Sequence, residues 1–259
     1  MNESILLNER RGPVATLTLN RPRSKNALNP ELIAELGHAL RLIVSSDVRV
    51  VVLTGAGGAF CSGADLKEGL SGADASNSGL TIDALHELIR LIATAPQPFI
   101  AAIDGAAVGF GCDLALACDL RVMSSRAYLQ EIFVKIGLMP DGGGTFWVPR
   151  LVGMGRAMEY LLLGTRLDAP LAREVGLANR VVEPPLLHSE VVELSDQLAA
   201  GPPLAQERIK RALRASLAGG LDEALHREKT NQLELLRSKD VLEGVTAWAE
   251  RRPPSFKGE

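Results

Sequence analysis

Hydrophobic and polar positions change their period along the 259-residue chain. In ILLNERRGPVATLTLN (residues 5–20), Val14, Thr16 and Thr18 alternate with Ala15, Leu17 and Leu19, while Arg11-Gly12-Pro13 breaks the run. A two-residue period with a turn signal inside it predicts two strands joined tightly. The period then lengthens. Leu32, Ile33, Leu36, Leu40 and Ile43 recur at helical spacing, and Asn29-Pro30 supplies an N-cap followed by proline at the first helical position. VRVVVLTG (48–55) is apolar at nearly every position, as in a strand covered on both faces of a parallel sheet.

The alternation continues. A glycine-rich loop, GAGGAFCSG, follows that strand, and the small, polar stretch SGADASNSG (71–79) reads as a mobile loop or lid. A helix is expected from about Thr81 to Thr94, ended by PQP. FIAAIDG is a second buried strand, AAVGFG leads into a helix from about Cys112 to Ala117, and DLRVMS is a strand again. Strand, loop and helix in this order predict a mostly parallel α/β sheet. After Gly153 the segments near 154–163, 187–200, 203–218, 221–236 and 240–250 carry helical periodicity. The expected organisation is an α/β core over about 1–200 and a helical region over 201–259.

Composition narrows the class. The chain is 46% hydrophobic, 23% charged and carries a formal net charge of −3, which disfavours nucleic-acid binding. The start, MNESILLNERRGP, does not read as a signal peptide, and the apolar stretch Phe99 to Met123 is interrupted by Asp104, Asp113 and Asp119, so no membrane span is expected. Three cysteines, Cys61, Cys112 and Cys118, without a CxxC pair suggest small buried residues in a reducing cytoplasm, with no disulfide framework and no metal site.

The glycines do not make a nucleotide cradle. GAGGAF has Phe60 and GFGCDL has Leu114 where a dinucleotide fingerprint needs its third glycine. Gly137 to Gly142 has P-loop spacing, but Gly143 stands in place of the lysine. Two parallel strand–loop–helix units do present helix N-termini at the carboxyl edge of a sheet. Unpaired N–H groups at SGAD and GFGCD are then candidates to converge as an oxyanion hole, or are simply two ordinary glycine-rich loops.

Six segments occur in order: NRPRSKNALNPELIAEL, VVLTGAGGAFCSGADLKE, PFIAAIDGAAVGFGCDLALACDLRV, GLMPDGGGTFWVPRLVG, AMEYLLLGTRLDAPLAREVGLANRVV and RRPPSFKG. Together they resemble the enoyl-CoA hydratase/isomerase (crotonase) superfamily over nearly the whole chain. The resemblance implies a crotonase-like ββα spiral core (1–200) for acyl-CoA binding and catalysis. It also implies a C-terminal helical trimerisation region (201–259), homotrimers or hexamers of trimers, and acyl-CoA thioester substrates. The amides of Ala64 and Phe110 match the oxyanion hole. Lys25, Asn26, Ala27 and Leu28, with the Ala64-Asp65-Leu66 backbone, match CoA contacts. Phe256 and Lys257 match residues reaching the adenine end, often of a neighbouring subunit. No metal or redox cofactor is implied; CoA arrives as part of the substrate. Arg21, Arg23 and Lys25 form a basic cluster suited to a phosphorylated ligand or merely to solvent.

The family's two hydratase glutamates fall on Asp113 and Phe133, and a phenylalanine handles no protons. Glu131 lies two residues earlier and, on a strand, shares a side with Phe133; it reads as a displaced catalytic acid or, more simply, as a solvent-exposed one. Asp141 matches the acid of the double-bond isomerases, including the phenylacetate-pathway isomerase, whose carboxylate shuttles a proton along the acyl chain. Asp113 matches an assisting acid of dienoyl isomerases, whose third acid falls on Phe133. An enoyl-CoA isomerase is therefore expected, with Asp141 as principal shuttle. The alternatives are a hydratase, an aryl-CoA dehalogenase-like hydrolase using Asp141 as nucleophile and His86 beside it, and a non-catalytic acyl-CoA binder.

Overall fold

The computed structural model describes residues 4–65 and 75–259, with side chains from residue 81 onward in the second span. The two opening strands form as expected: β1 (Leu6–Arg11) pairs antiparallel with β2 (Val14–Leu19), with Leu6 opposite Leu19. Asn29 caps α1 (Pro30–Val44) by accepting the Leu32 amide at 3.0 Å. That bond satisfies one of the amides a helix start leaves unpaired.

The main sheet has six strands in the order β1-β2-β3-β4-β6-β9, formed by β3 (Val50–Gly55), β4 (Phe99–Ile103), β6 (Leu120–Ser124) and β9 (Arg180–Val182) beside the first two. All pairings after the first are parallel. Both faces are covered, which explains the apolar run in β3. Val51 and Leu53 face α1, α2 (Ala75–Thr94) and α3 (Phe110–Ala117), joining Leu36, Leu40, Leu88, Ile92 and Leu114 in one core. Val50 and Val52 face the other way, against Leu187, Val191 and Leu194 of α7 (Leu187–Ala199). Each fully buried leucine here contributes about 1.5–3 kcal/mol.

A second, three-stranded sheet carries the site. It consists of β5 (Ala106–Val108), β7 (Tyr128–Gln130) and β8 (Arg166–Asp168), in the order β5-β7-β8. The chain steps from β4 into β5 through Asp104-Gly105. A β-carbon on Gly105 would sit 2.1 Å from the Gly58 carbonyl oxygen, so no larger residue fits the step. β5 pairs parallel with β7 and is bridged to Cys61 in the loop after β3. This bridge draws the two strand–loop–helix units together.

The remaining helices are α4 (Gly144–Val152), α5 (Met154–Leu163), α6 (Ala169–Glu174), α8 (Pro203–Ser216), α9 (Leu221–Leu235) and α10 (Lys239–Glu250). Neither α8 nor α9 has a buried residue. α8 is tied to the core by charge: Lys210 donates to the Ile92 and Gln97 carbonyls, and Arg214 pairs with Asp119 at 2.8 Å.

Two boundaries differ from the sequence expectation. Residues 75–79 of the small, polar stretch are helical and begin α2 six residues before Thr81, while 71–74 lie outside the described residues. α3 starts at Phe110 rather than Cys112, which makes Phe110 the first helical residue. No helix among the described residues is long and apolar enough to cross a membrane.

Candidate functional site

The segment 25–28 is folded into shape by one asparagine. Lys25 and Asn26 take φ of 52° and 58°, the left-handed region. Fully buried Asn26 accepts the Arg21 amide at 2.9 Å and donates to the Ala56 and Ala59 carbonyls at 2.9 and 2.7 Å. Its side chain is thus spent inside the protein, and any CoA contact at this residue must be through the backbone. Arg21 is also spent: it pairs with Asp65 at 2.9 Å and donates to the Ala27 carbonyl. Of the basic cluster, Arg23 and Lys25 remain exposed.

Leu28 and Ala64 meet in a parallel bridge, with the Leu28 amide donating to Gly63 and the Asp65 amide to Leu28. The Ala64 amide lies between these bonds and, among the described residues, donates to nothing. The Phe110 amide, first in α3, is likewise without an acceptor. The two are neighbours: a β-carbon on Gly63, whose φ is +94°, would lie 3.4 Å from the Phe110 nitrogen. The geometry therefore brings together the two amides singled out in the sequence, both free to accept a developing negative charge. Leu66 lies outside the described residues. The Phe110 side chain is buried and fills core under the next loop, its ring edge 2.7 Å from where a β-carbon on Gly142 would sit.

That loop carries Asp141. It leaves a short turn at Phe133–Ile136, passes Pro140 and enters α4 at Gly144. The glycines are a steric requirement. Besides the Phe110 ring, a β-carbon on Gly142 would meet Asp113 Cβ at 2.5 Å, and one on Gly144 would meet Asp113 Oδ1 at 2.9 Å and Glu131 Oε1 at 3.0 Å. The loop backbone is thereby pressed against two acids, Asp113 and Glu131. The Gly142 amide donates to Asp113 Oδ2 at 3.0 Å. His86 on α2 holds the loop from the other side: its Nε2–H donates to the Asp141 carbonyl at 2.8 Å. Because a carbonyl only accepts, this bond fixes Nε2 as the protonated nitrogen.

The expectation for Glu131 is overturned. It is 5% exposed rather than solvated, and neither carboxylate oxygen has a hydrogen bond of full geometry, although the Cys112 thiol lies close to it. Nor does it sit in a strand: β7 ends at Gln130 and the chain turns. No strand alternation could have signalled its burial, because the chain leaves β7 before Glu131 and Phe133 begins a helical turn.

Environment separates the three carboxyls. Burial, then the neighbouring Asp141 charge, raises Asp113 to about 8, against the opposing pull of the Gly142 and Gly144 amides. Burial, then Asp113, raises Glu131 well above the carboxylate range. Half-buried Asp141 is raised by burial, with His86 opposing. Asp141 is the least desolvated and is the first to carry the charge. Phe133 is buried, its ring 3.8 Å from where a β-carbon on Gly109 would lie, and places an apolar surface beside the Phe110 amide.

Phe256 and Lys257 are not brought to this site within the chain. The Phe256 carbonyl accepts from Arg49, just before β3, and the Lys257 amide donates to Asp240. They lie at the amino edge of the main sheet, whereas Ala64 and Phe110 follow its carboxyl edge.

Comparison with known proteins shows the family and the fold. The family described as enoyl-CoA hydratase/isomerase matches residues 9–259. A Rhodobacter capsulatus protein named as a probable enoyl-CoA hydratase is 40% identical over 250 residues, covering 95% of each chain. The 1,2-epoxyphenylacetyl-CoA isomerase of Escherichia coli K12 is 37% identical over 265 residues, covering 100% of each. The solved structure of an enoyl-CoA hydratase from Bacillus anthracis superposes with a TM-score of 0.96 at 36% identity, over 99% of this chain and 100% of that one.

Proposed function

Since the chain belongs to the enoyl-CoA hydratase/isomerase family and has the crotonase fold, we propose that it is an isomerase that moves a double bond in an acyl-CoA thioester by proton transfer. In this reading the thioester oxygen rests against the Ala64 and Phe110 amides, which hold the charge of the enolate. Ionised Asp141 takes a proton from the acyl chain, and Asp113, protonated at neutral pH, assists its return at another carbon. The Lys25–Leu28 segment and the Ala64-Asp65-Leu66 backbone hold CoA. No metal or redox cofactor takes part.

The observation that carries this reading is the division of labour among the carboxyls. Half-buried Asp141 is raised by burial with its own backbone and His86 opposing, as suits a base, while more deeply buried Asp113 reaches about 8, as suits an acid. Buried Phe133 withholds a carboxyl from the second position that hydratases use. Hydration is the second reading, favoured by Glu131 as a displaced acid.

The exposed apolar faces of the C-terminal helices support a homotrimer or a hexamer. Leu213, Leu225 and Leu242 are exposed, and Trp248 is 83% exposed. In such an assembly Phe256 and Lys257 would serve a neighbouring subunit's CoA. A cytoplasmic location completes the proposal.

The test uses 3-hexenoyl-CoA, read by absorbance of the conjugated product, and crotonyl-CoA for hydration. Asp141→Asn is expected to lose about 10²–10⁴-fold in kcat for isomerisation. Full isomerisation in that variant removes the shuttle. Crotonyl-CoA hydration that survives it establishes the hydratase. Halide release from an aryl-CoA would establish the dehalogenase, and binding of thioesters without turnover the passive binder.

A further inference from the structure

Glu131 is the buried titratable group that the proposed reaction leaves unused. Both its oxygens and Asp113 Oδ1 are buried without a hydrogen-bond donor of full geometry. Asp113 Oδ1 and Glu131 Oε1 flank the same point, the missing β-carbon of Gly144, at 2.9 and 3.0 Å. Two acceptor-only carboxylates do not share such a gap; a proton on one makes it a donor to the other. No group of three acidic, His or Cys side chains among the described residues is arranged to hold a metal ion.

We propose that Glu131 remains protonated and donates a hydrogen bond to Asp113 Oδ1, directly or across one water, as a positioning residue for the assisting acid. This rests on the isomerase reading of the site. The donor matters most after proton return. When the Asp113 O–H bond breaks, its proton goes to the acyl carbon and the electron pair stays on the carboxylate, until the proton that Asp141 took passes to Asp113 and restores the resting pair. The Glu131 O–H, which stays intact, then stabilises a charge absent from the resting acid. An ionised Glu131 would repel that charge instead. The titratable groups facing Glu131 are Cys112 and Asp113 on α3 and Asp141 on the loop. Of these, the two acids both favour its neutral form, and burial does so most.

Two substitutions separate the possibilities. Glu131→Gln keeps a donor, and Glu131→Met keeps only the volume. With 3-hexenoyl-CoA as probe, kcat of the glutamine variant is expected within about threefold of the parent. The methionine variant should lose about tenfold, the worth of one ordinary hydrogen bond, with KM unchanged. Its alkaline limb should move to higher pH, because Asp113 has lost a donor to its ionised form.

Equal kcat in both variants would overturn the proposal in favour of simple packing. A glutamine variant as impaired as the methionine one, with its alkaline limb moved to lower pH, would overturn it in favour of an ionised Glu131. Infrared difference spectra decide independently of turnover. A protonated-carboxyl band at neutral pH beyond that of Asp113, present in the parent and absent from both variants, is expected. Its absence from the parent refutes the proposal even if the protein isomerises nothing.

Discussion

Gly142→Ala tests whether the loop backbone and the acid below it are as tightly fitted as the coordinates require. The backbone of Gly142 is not in the left-handed region, so alanine meets no torsional obstacle. It meets a steric one. The added carbon would lie 2.5 Å from Asp113 Cβ, 2.7 Å from Phe110 Cε2 and 2.8 Å from Asp113 Cγ. Carbon atoms pack best about 1 Å farther apart. Both neighbours belong to buried α3 and have no open space to enter, so the loop itself must lift. Overpacking of this kind costs about 1–3 kcal/mol. At about 2–4 °C per kcal/mol for a chain of this size, Tm falls by about 2–12 °C.

Lifting the loop also stretches the 3.0 Å bond from Gly142 to Asp113 and displaces Asp141, the adjoining residue. A displacement near 1 Å is worth about 10²-fold in rate. The assay is scanning calorimetry beside 3-hexenoyl-CoA turnover. Gly155→Ala in α5, where nothing lies within 4 Å of the new carbon, is the matched control. It should gain about 0.5–1 kcal/mol. If Gly142→Ala keeps both the parental Tm and the parental kcat, the close fit of loop to α3 is wrong.

Three further outcomes follow from the structure. Asp113 holds its proton in the folded state up to about 8 but loses it near 3.8 when unfolded, so its burial costs stability increasingly as pH rises through that window. Asp113→Asn should therefore raise Tm relative to the parent, more at about pH 9 than at about pH 5, while lowering kcat; an equal effect at both pH values would contradict the raised pKa. Asn26→Ala strands one buried amide and two carbonyls, and should cost about 2–4 kcal/mol by denaturant titration, with a loss under about 0.5 kcal/mol contradicting its role as the clasp of the 25–28 segment. Leu213→Glu should shift sedimentation from the proposed trimer towards the monomer if the apolar face of α8 is an interface, and an unchanged assembly would place the contact elsewhere.

Much of the fold is written locally. The alternation in residues 14–19, the Asn29-Pro30 start and the doubly apolar β3 each depend on a repeat or a cap a few residues long, and each forms as its residues dictate. The helical periods after residue 153 also reappear at nearly their expected limits, because side chains three and four apart must share a face wherever the helix packs. The free amide of Phe110 was legible as well, since a helix start leaves its N–H groups unpaired in any surroundings, whereas that of Ala64 lies in a bridge with Leu28 that only the tertiary structure makes.

What the sequence could not decide is which polar side chains the interior would consume. Asn26 and Arg21 look alike as candidate ligands until residues 30 and 44 positions away supply their partners. Glu131 looks like a surface acid until α3 and the Asp141 loop close over it and leave its carboxyl without a donor. Phe256 and Lys257 carry a recognisable motif, yet their distance from the acids depends on how α10 docks at the opposite edge of the sheet. Periodicity and caps are short-range properties and survive in the sequence. Desolvation and charge coupling arise only when distant segments meet, so the protonation of Asp113, Glu131 and Asp141 belongs to the tertiary structure alone.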